Sequence, residues 1–174
     1  DPDHLAFALL FRQAGALLSR GGVVIYPTET YYGLGAHPGL RSAVERVYRI
    51  KGRALGKPLP LIASDLEAAH RVAGEWPPVA ERLAAAFWPG PLTLVLRKKT
   101  IVPDFITGGL DTVGVRIPGH EIARKVIDIA GVPICAPSAN ISGKPSATLF
   151  EHVFEDFNGK IDIIIDGGKS QVGL

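Results

Sequence analysis

The run Val23 to Gly35, VVIYPTETYYGLG, constrains what this chain can fold into more than any other stretch. Val23, Val24 and Ile25 are β-branched residues that favour a buried strand. Tyr26-Pro27 ends it, because proline has no N–H for a ladder and sets φ near a turn value. Thr28, Glu29, Thr30, Tyr31 and Tyr32 then make a polar loop that runs on through Gly33 and Gly35. Hydroxyls, a carboxylate and phenols gathered at a strand end occupy the place where α/β folds build their sites. An ordinary solvated connector has the same composition, so the remaining chain decides what the loop is for.

Around that strand the periodicity alternates. His4 to Arg20 carries Leu5, Ala8, Leu9, Ala16 and Leu17 close to helical spacing and stops at Gly21-Gly22. Arg41 to Ile50 is a second helix, with Ala43, Val44, Val47 and Tyr48 on its apolar face. Leu59 to Ala63, Leu92 to Leu96, Val113 to Ile117, Val132 to Ala136 and Ile161 to Ile165 read as strands. Ser64 with Glu67, and Thr148 with Glu151, are capping-box signatures that open helices. Pro77-Pro78 starts another helix that runs to Phe87, and Ile122, Ala123, Val126, Ile127 and Ala130 mark one more. Thr100 to Thr112 and Pro137 to Ala147 read as loops. The alternation predicts one α/β domain over residues 1–174, a twisted mixed sheet flanked by helices. At 174 residues the chain buries a core without disulfides, and its single cysteine, Cys135, sits in an apolar run as a core thiol. Residues 1–20 read neither as a signal peptide nor as a membrane span, so the expectation is a soluble cytoplasmic protein with no membrane partner.

Net charge is +2, but its distribution is uneven. Between Arg41 and Lys57, the bases Arg41, Arg46, Arg49, Lys51, Arg53 and Lys57 face Glu45 alone, while the rest of the chain has 13 bases and 16 acids. All the surplus positive charge sits in one segment, which suits a local anion site better than a surface coated for nucleic acid. Several familiar patterns fail. Gly168-Lys169-Ser170 has Ile163 where a P-loop needs its first glycine, and Gly33-Leu34-Gly35 has Pro38 in place of a third glycine. Ser138-Ala139-Asn140 has no accompanying Ser-x-x-Lys, and the five histidines lack ligand spacing.

What survives is a set of polar groups near strand ends. Lys51 and Arg53 flank Gly52, with Lys57 beyond; in an extended stretch they point the same way and suit a polyphosphate, or equally form a solvated basic helix end. Arg116, within VGVRIP, is able to grip a carboxylate bidentately or to pair with an acid of the chain. Ser138, Asn140, Ser142 and Ser146 offer hydroxyls and an amide to an anion, or make simple turns. Asp166 and Glu29 are the metal candidates on carboxylate chemistry, with a turn aspartate and a surface glutamate as the alternatives.

Taken together, PTETYYGLG at 27–35, KGR at 51–53, WPGPLT at 88–93, LDTVGVRIP at 110–118, APSANISGKPS at 136–146 and IDGG at 165–168 resemble, in order and spacing, the YrdC-like family of threonylcarbamoyl-AMP synthases. The resemblance covers nearly the whole chain. It implies a twisted α/β fold around a large positively charged cavity, and synthesis of threonylcarbamoyl-AMP from L-threonine, bicarbonate and ATP with release of pyrophosphate. A partner threonylcarbamoyltransferase then places the group on the adenosine beside the anticodon of certain tRNAs. Carried over by position, the resemblance implies that Thr30, Arg116 and the backbone of Ala136 contact threonine. It implies an ATP side lined by Lys51, Arg53, Lys57, Thr112, Ser138, Asn140 and Ser146. Lys51 and Arg53 would be catalytic, stabilising the charge on the phosphates together with a magnesium ion that comes with ATP.

Two departures stand out. Ile62 occupies the place where some relatives have a histidine that helps hold threonine, and the chain stops at Val172-Gly173-Leu174 where the family continues with a Ser-Thr pair and later basic residues. The domain is therefore expected to be cut at its C-terminal end. A reading from a different class is an RNA-binding, translation-associated module, with tRNA or duplex RNA in the basic hollow and no catalysis. It predicts a steep salt dependence and no need for threonine. An aromatic content of 7% and the confinement of the charge to one segment speak against it.

Overall fold

The computed structural model describes residues 2–172; Gly173-Leu174, part of the expected break from the family, lie outside the described residues. In chain order the elements are α1 (Pro2–Ser19), β1 (Val24–Tyr26), β2 (Gly33–Gly35), α2 (Arg41–Lys51), β3 (Leu61–Ile62), α3 (Leu66–Val72), α4 (Pro78–Phe87), β4 (Leu94–Arg97), α5 (Asp104–Thr107), β5 (Thr112–Arg116), α6 (Glu121–Ala130), β6 (Ile134–Cys135), α7 (Phe150–Phe157) and β7 (Ile163–Ile164).

Pro27 follows the last residue of β1, as its missing N–H requires. The polar loop is shorter than expected, because Gly33-Leu34-Gly35 turns back as β2, antiparallel to β1, with Tyr26 opposite Gly33 and Val24 opposite Gly35. Tyr26 explains the glycines. A Cβ on Gly33 would stand 3.0 Å from Tyr26 Cε2, and one on Gly35 would stand 2.7 Å from Tyr26 Cε1, so β2 passes beneath the ring only without side chains there.

The expected mixed α/β architecture is present, and its strands fall into two mixed sheets, ordered β2-β1-β7 and β4-β5-β3-β6. The β1–β7 and β3–β5 pairs are parallel and the others antiparallel. Isolated bridges Gly33–Ser138 and Ala36–Cys135 stitch the two sheets along β2 and β6. Side chains alternate along β1 as a strand demands: Val23 and Ile25 enter one core, Val24 and Tyr26 the other. Ala14, Leu18, Val126, Ile127 and Ala130 of α1 and α6 close the second core, while Val47, Ala69, Ala84 and Phe157 bring α2, α3, α4 and α7 into the first. Each fully buried aliphatic side chain contributes about 1.5–3 kcal/mol.

Neither expected capping box forms. Asp65, one residue past Ser64, caps α3, its Oδ1 accepting from Ala68 N at 2.7 Å. The N-cap position of α7 is Leu149, without a side-chain bond, and the Thr148 carbonyl instead accepts from Ser170 N at 2.9 Å. The stretch read as one loop from Thr100 to Thr112 contains α5.

Candidate functional site

The Pro27–Tyr32 connection is a hydroxyl-braced turn. Thr28 Oγ1 donates to the Tyr31 carbonyl at 2.6 Å and accepts from the backbone N–H groups of Thr30 at 3.3 Å and Tyr31 at 3.2 Å. Its oxygen lies 3.1 Å from Thr30 Oγ1. The brace presents Glu29 and Thr30 side by side to the end of β5, where Arg116 waits.

Arg116 is the last residue of β5, opposite Ile62 of β3. Its Nε donates to the Gly90 carbonyl at 3.0 Å, Nη1 to Thr30 Oγ1 at 3.0 Å and Nη2 to Glu29 Oε1. The pair is buried, with side-chain exposures of 8% for Arg116 and 11% for Glu29. Glu29 Oε2 accepts from Gly119 N at 2.9 Å. Burial alone would raise the Glu29 carboxyl, but the Arg116 charge and the N–H bonds outweigh it and hold the pKa below its ordinary value. Of the two sequence readings of Arg116, the structure shows the pairing with an acid of the chain; two of the five guanidinium N–H donors have no acceptor within it.

Arg116 borders a narrow cleft of about 20 Å³ lined also by Thr28, Tyr31, Gly33, Pro60, Ile62, Thr93 and Ala136. Of the expected threonine contacts, Arg116 and Ala136 line this cleft, and Thr30 joins them through its hydrogen bond to Arg116. A wider cleft of about 380 Å³ opens between α3, α4 and α6, at Ser64, Glu81, Trp88 and Arg124 among others, and gathers none of the expected site residues.

Lys51 and Arg53 do not lie in an extended stretch. Lys51 ends α2, and Gly52 caps it in the left-handed conformation at φ 61°, so the two side chains part. The Lys51 ammonium turns inward, donating to the Ser138 carbonyl, to the Asn140 carbonyl at 2.7 Å and to Asn140 Oδ1 at 3.3 Å. All three of its N–H donors therefore have acceptors within the chain. Burial, with the Arg53 charge adding to it, brings its pKa down to about 8. Asn140 is equally committed: Oδ1 accepts from Ser138 Oγ at 2.5 Å, and Nδ2 donates to the carbonyls of Ile141 at 3.0 Å and Lys144 at 2.8 Å. Arg53 Nη2 donates to the Pro58 carbonyl at 3.0 Å, while its buried Nε has no partner.

Lys51 and Ser138 thus meet directly, and the Gly33–Ser138 bridge carries that cluster to the wall of the Arg116 cleft. Thr112 stands four residues before Arg116 on the same face of β5, about 13 Å along the strand. Lys57 is exposed. Ser146 is also exposed and borders a hollow with Lys144, His152, Glu155 and Asp156.

Sequence reasoning missed the Gly90 carbonyl, although WPGPLT was singled out. That turn is fixed by Gly90 N donating to the Ile117 carbonyl at 2.8 Å, and it aims a backbone acceptor that has no letter of its own in the sequence. Both oxygens of Glu29, a metal candidate, are engaged by Arg116 and Gly119; Asp166 is exposed, with Oδ1 accepting from Gly168 N at 2.9 Å. Among the described residues no group of three or more His, Cys, Asp or Glu side chains could hold a metal ion. The basic segment is also partly neutralised: Arg41 meets Glu45 and Arg46 meets Asp162, leaving less charge for a nucleic-acid surface. No helix among the described residues is long and apolar enough to cross a membrane.

Residues 16–174 match the family described as "Telomere recombination", that of Sua5, YciO and YrdC. The threonylcarbamoyl-AMP synthase of Pyrococcus abyssi is 53% identical over 163 residues, which are 94% of this chain and 48% of that protein. The threonylcarbamoyl-AMP synthase of Pseudomonas fluorescens is 32% identical, over 90% of this chain and 84% of its own length. Among solved structures, P. abyssi Sua5 complexed with L-threonine superposes with a TM-score of 0.91 at 53% identity, covering 94% of this chain and 48% of that one. E. coli YciO superposes with a TM-score of 0.83 at 29% identity, covering 92% and 78%. The chain spans about half the length of the Pyrococcus relative.

Proposed function

The chain belongs to the Sua5, YciO and YrdC family, and on that premise we propose that it makes L-threonylcarbamoyl-AMP from L-threonine, bicarbonate and ATP, releasing pyrophosphate, in the modification of tRNA to threonylcarbamoyladenosine. The observation that carries the reading is Arg116, buried beside Thr30 in the cleft wall, with two of its five N–H donors not used within the chain. A planar donor pair of this kind recognises a carboxylate. The 53% identity to a Sua5 complexed with L-threonine supports threonine as its owner.

In this reading the threonine carboxylate sits on Arg116, Thr30 Oγ1 lies beside it, and Ile62 and Pro60 meet the methyl group. The amine is left free. Its nitrogen bonds to the carbon of bicarbonate with loss of water, giving a carbamate. A carbamate oxygen then bonds to the α-phosphorus of ATP as the bond to the β-phosphate oxygen breaks, and pyrophosphate leaves with the electron pair. No side-chain nucleophile is required, so the protein works by positioning and by stabilising charge. The nucleotide lies along β5 toward Thr112, with magnesium entering on its phosphates as MgATP. The unpartnered buried Nε of Arg53 supports its assignment as the cation that meets a phosphate. Lys51 acts through the Ser138–Asn140 loop as a positioning residue, its charge adding to the local field. The product passes to a partner threonylcarbamoyltransferase that acts on tRNA, which assigns the work to the cytoplasm.

The test is pyrophosphate release from ATP with bicarbonate, with and without L-threonine. Threonine-dependent release that falls about 10²-fold or more in Arg53→Ala is expected. Release independent of threonine, or unchanged in that variant, would sink the assignment.

A further inference from the structure

Tyr26 has no part in the site described above, yet its hydroxyl is one of the few buried side-chain atoms among the described residues with no hydrogen-bond partner. The residue is fully buried. A phenol oxygen left unpaired there costs stability, and phenylalanine would fill the same space without that cost. The position of the hydroxyl is informative. A Cβ on Gly33 would lie 3.1 Å from it, and Gly33 lines the cleft with Thr28, Tyr31, Ile62, Arg116 and Ala136. Ile62 and Ala136 pack in the same core cluster as Tyr26. The hydroxyl therefore stands against the side of Gly33 that lacks a side chain, and Gly33 is itself part of the cleft wall. Burial raises its pKa well above the ordinary value, as do the nearby Cys135 and Tyr31, against a smaller opposing effect of Arg116. The phenol is thus a neutral donor at every physiological pH.

We propose that Tyr26 is a ligand-binding residue of the cleft, its hydroxyl donating to an oxygen of the amino acid whose carboxylate Arg116 holds. The inference rests on the amino-acid reading of the cleft given above. In the unliganded fold the hydroxyl is covered, and contact is made when the ligand seats against Gly33 and the ring tilts toward it. Arg116 then fixes one end of the ligand and Tyr26 a second point, which sets the direction in which the amine faces the nucleotide.

The test compares wild type with Tyr26→Phe by calorimetric titration of L-threonine and, separately, of ATP, with a thermal melt of each unliganded protein. Loss of one neutral hydrogen bond should weaken threonine about 3- to 10-fold. ATP affinity should be unchanged, and the melting temperature unchanged or raised, because an orphaned hydroxyl has been removed. Equal threonine affinity in the two proteins would overturn the proposal while leaving the amino-acid reading intact. Parallel loss of threonine and ATP binding would mark a general disruption and overturn it as well. Failure of wild type to bind threonine would remove the amino-acid reading itself and this inference with it.

Discussion

Replacing Glu29 by glutamine isolates the interaction on which the cleft geometry depends. Exposed ion pairs are worth about 0–1 kcal/mol, whereas breaking a buried one costs about 3–5 kcal/mol, because the surviving charge is left without a partner. With side-chain exposures of 8% and 11%, the Arg116–Glu29 pair belongs to the second class. Glutamine keeps an acceptor for Arg116 Nη2 but turns an amide N–H₂ toward Gly119 N, which now donates to Glu29 Oε2 at 2.9 Å. The charge and one hydrogen bond are lost together, so the expected destabilisation is about 3 kcal/mol, a fall of about 1–2 M in the urea midpoint. Its pH dependence has a definite sign. The folded-state pKa of Glu29 lies below 4.5, its unfolded value, so the unfolded chain takes up the proton first as pH falls. The stabilisation is complete above about 4.5 and is lost as pH descends through the lower folded value. The gap between wild type and Glu29→Gln, measured by urea unfolding at a series of pH values, should be widest near neutrality and close in acid. A gap below about 0.5 kcal/mol at pH 7, or one that stays constant into strong acid, would refute the assignment of a buried, charge-stabilised pair.

Lys51→Met removes the donors that tie the end of α2 to the Ser138 and Asn140 carbonyls, leaving the Asn140 carbonyl buried and unpaired and the Ser138 carbonyl with Asn140 N alone. Hydrogen exchange at the amides of residues 138–142 should accelerate, and the fold should lose about 2–4 kcal/mol; unchanged exchange there would show that the ammonium does not hold the loop. Gly35→Ala puts a Cβ 2.7 Å from Tyr26 Cε1 and 2.9 Å from Ile134 Cδ1. The overpacking should cost about 1–3 kcal/mol in a thermal melt, and a neutral result would mean that the ring and β2 are less closely packed than described.

How much of this was legible in the sequence differs from element to element. β1 was legible because β-branched residues and a following proline carry their own conformational preference. β2 was not, because Gly33 and Gly35 favour no strand; they pair because the Tyr26 ring requires bare backbone beneath it and because residues 135–138 supply the other edge. Lys51 and Arg53 were found as residues but given the wrong directions. Gly52 after a basic helix end is a C-cap signal, and a left-handed residue between them sends one side chain inward and the other toward Pro58. For Arg116 the sequence offered pairing or ligand binding as alternatives, and five donors in a fixed fork allow both.

The central claim, that Arg116 holds a free amino acid by its carboxylate, is tested most directly by titrating the protein in a calorimeter with L-threonine and with L-threoninol, which keeps the amine, hydroxyl and methyl groups but carries an alcohol in place of the carboxylate. Binding of threonine with a loss of about 10²-fold or more for threoninol is predicted, since two charge-assisted hydrogen bonds disappear together. Equal affinity for the two ligands would contradict the account.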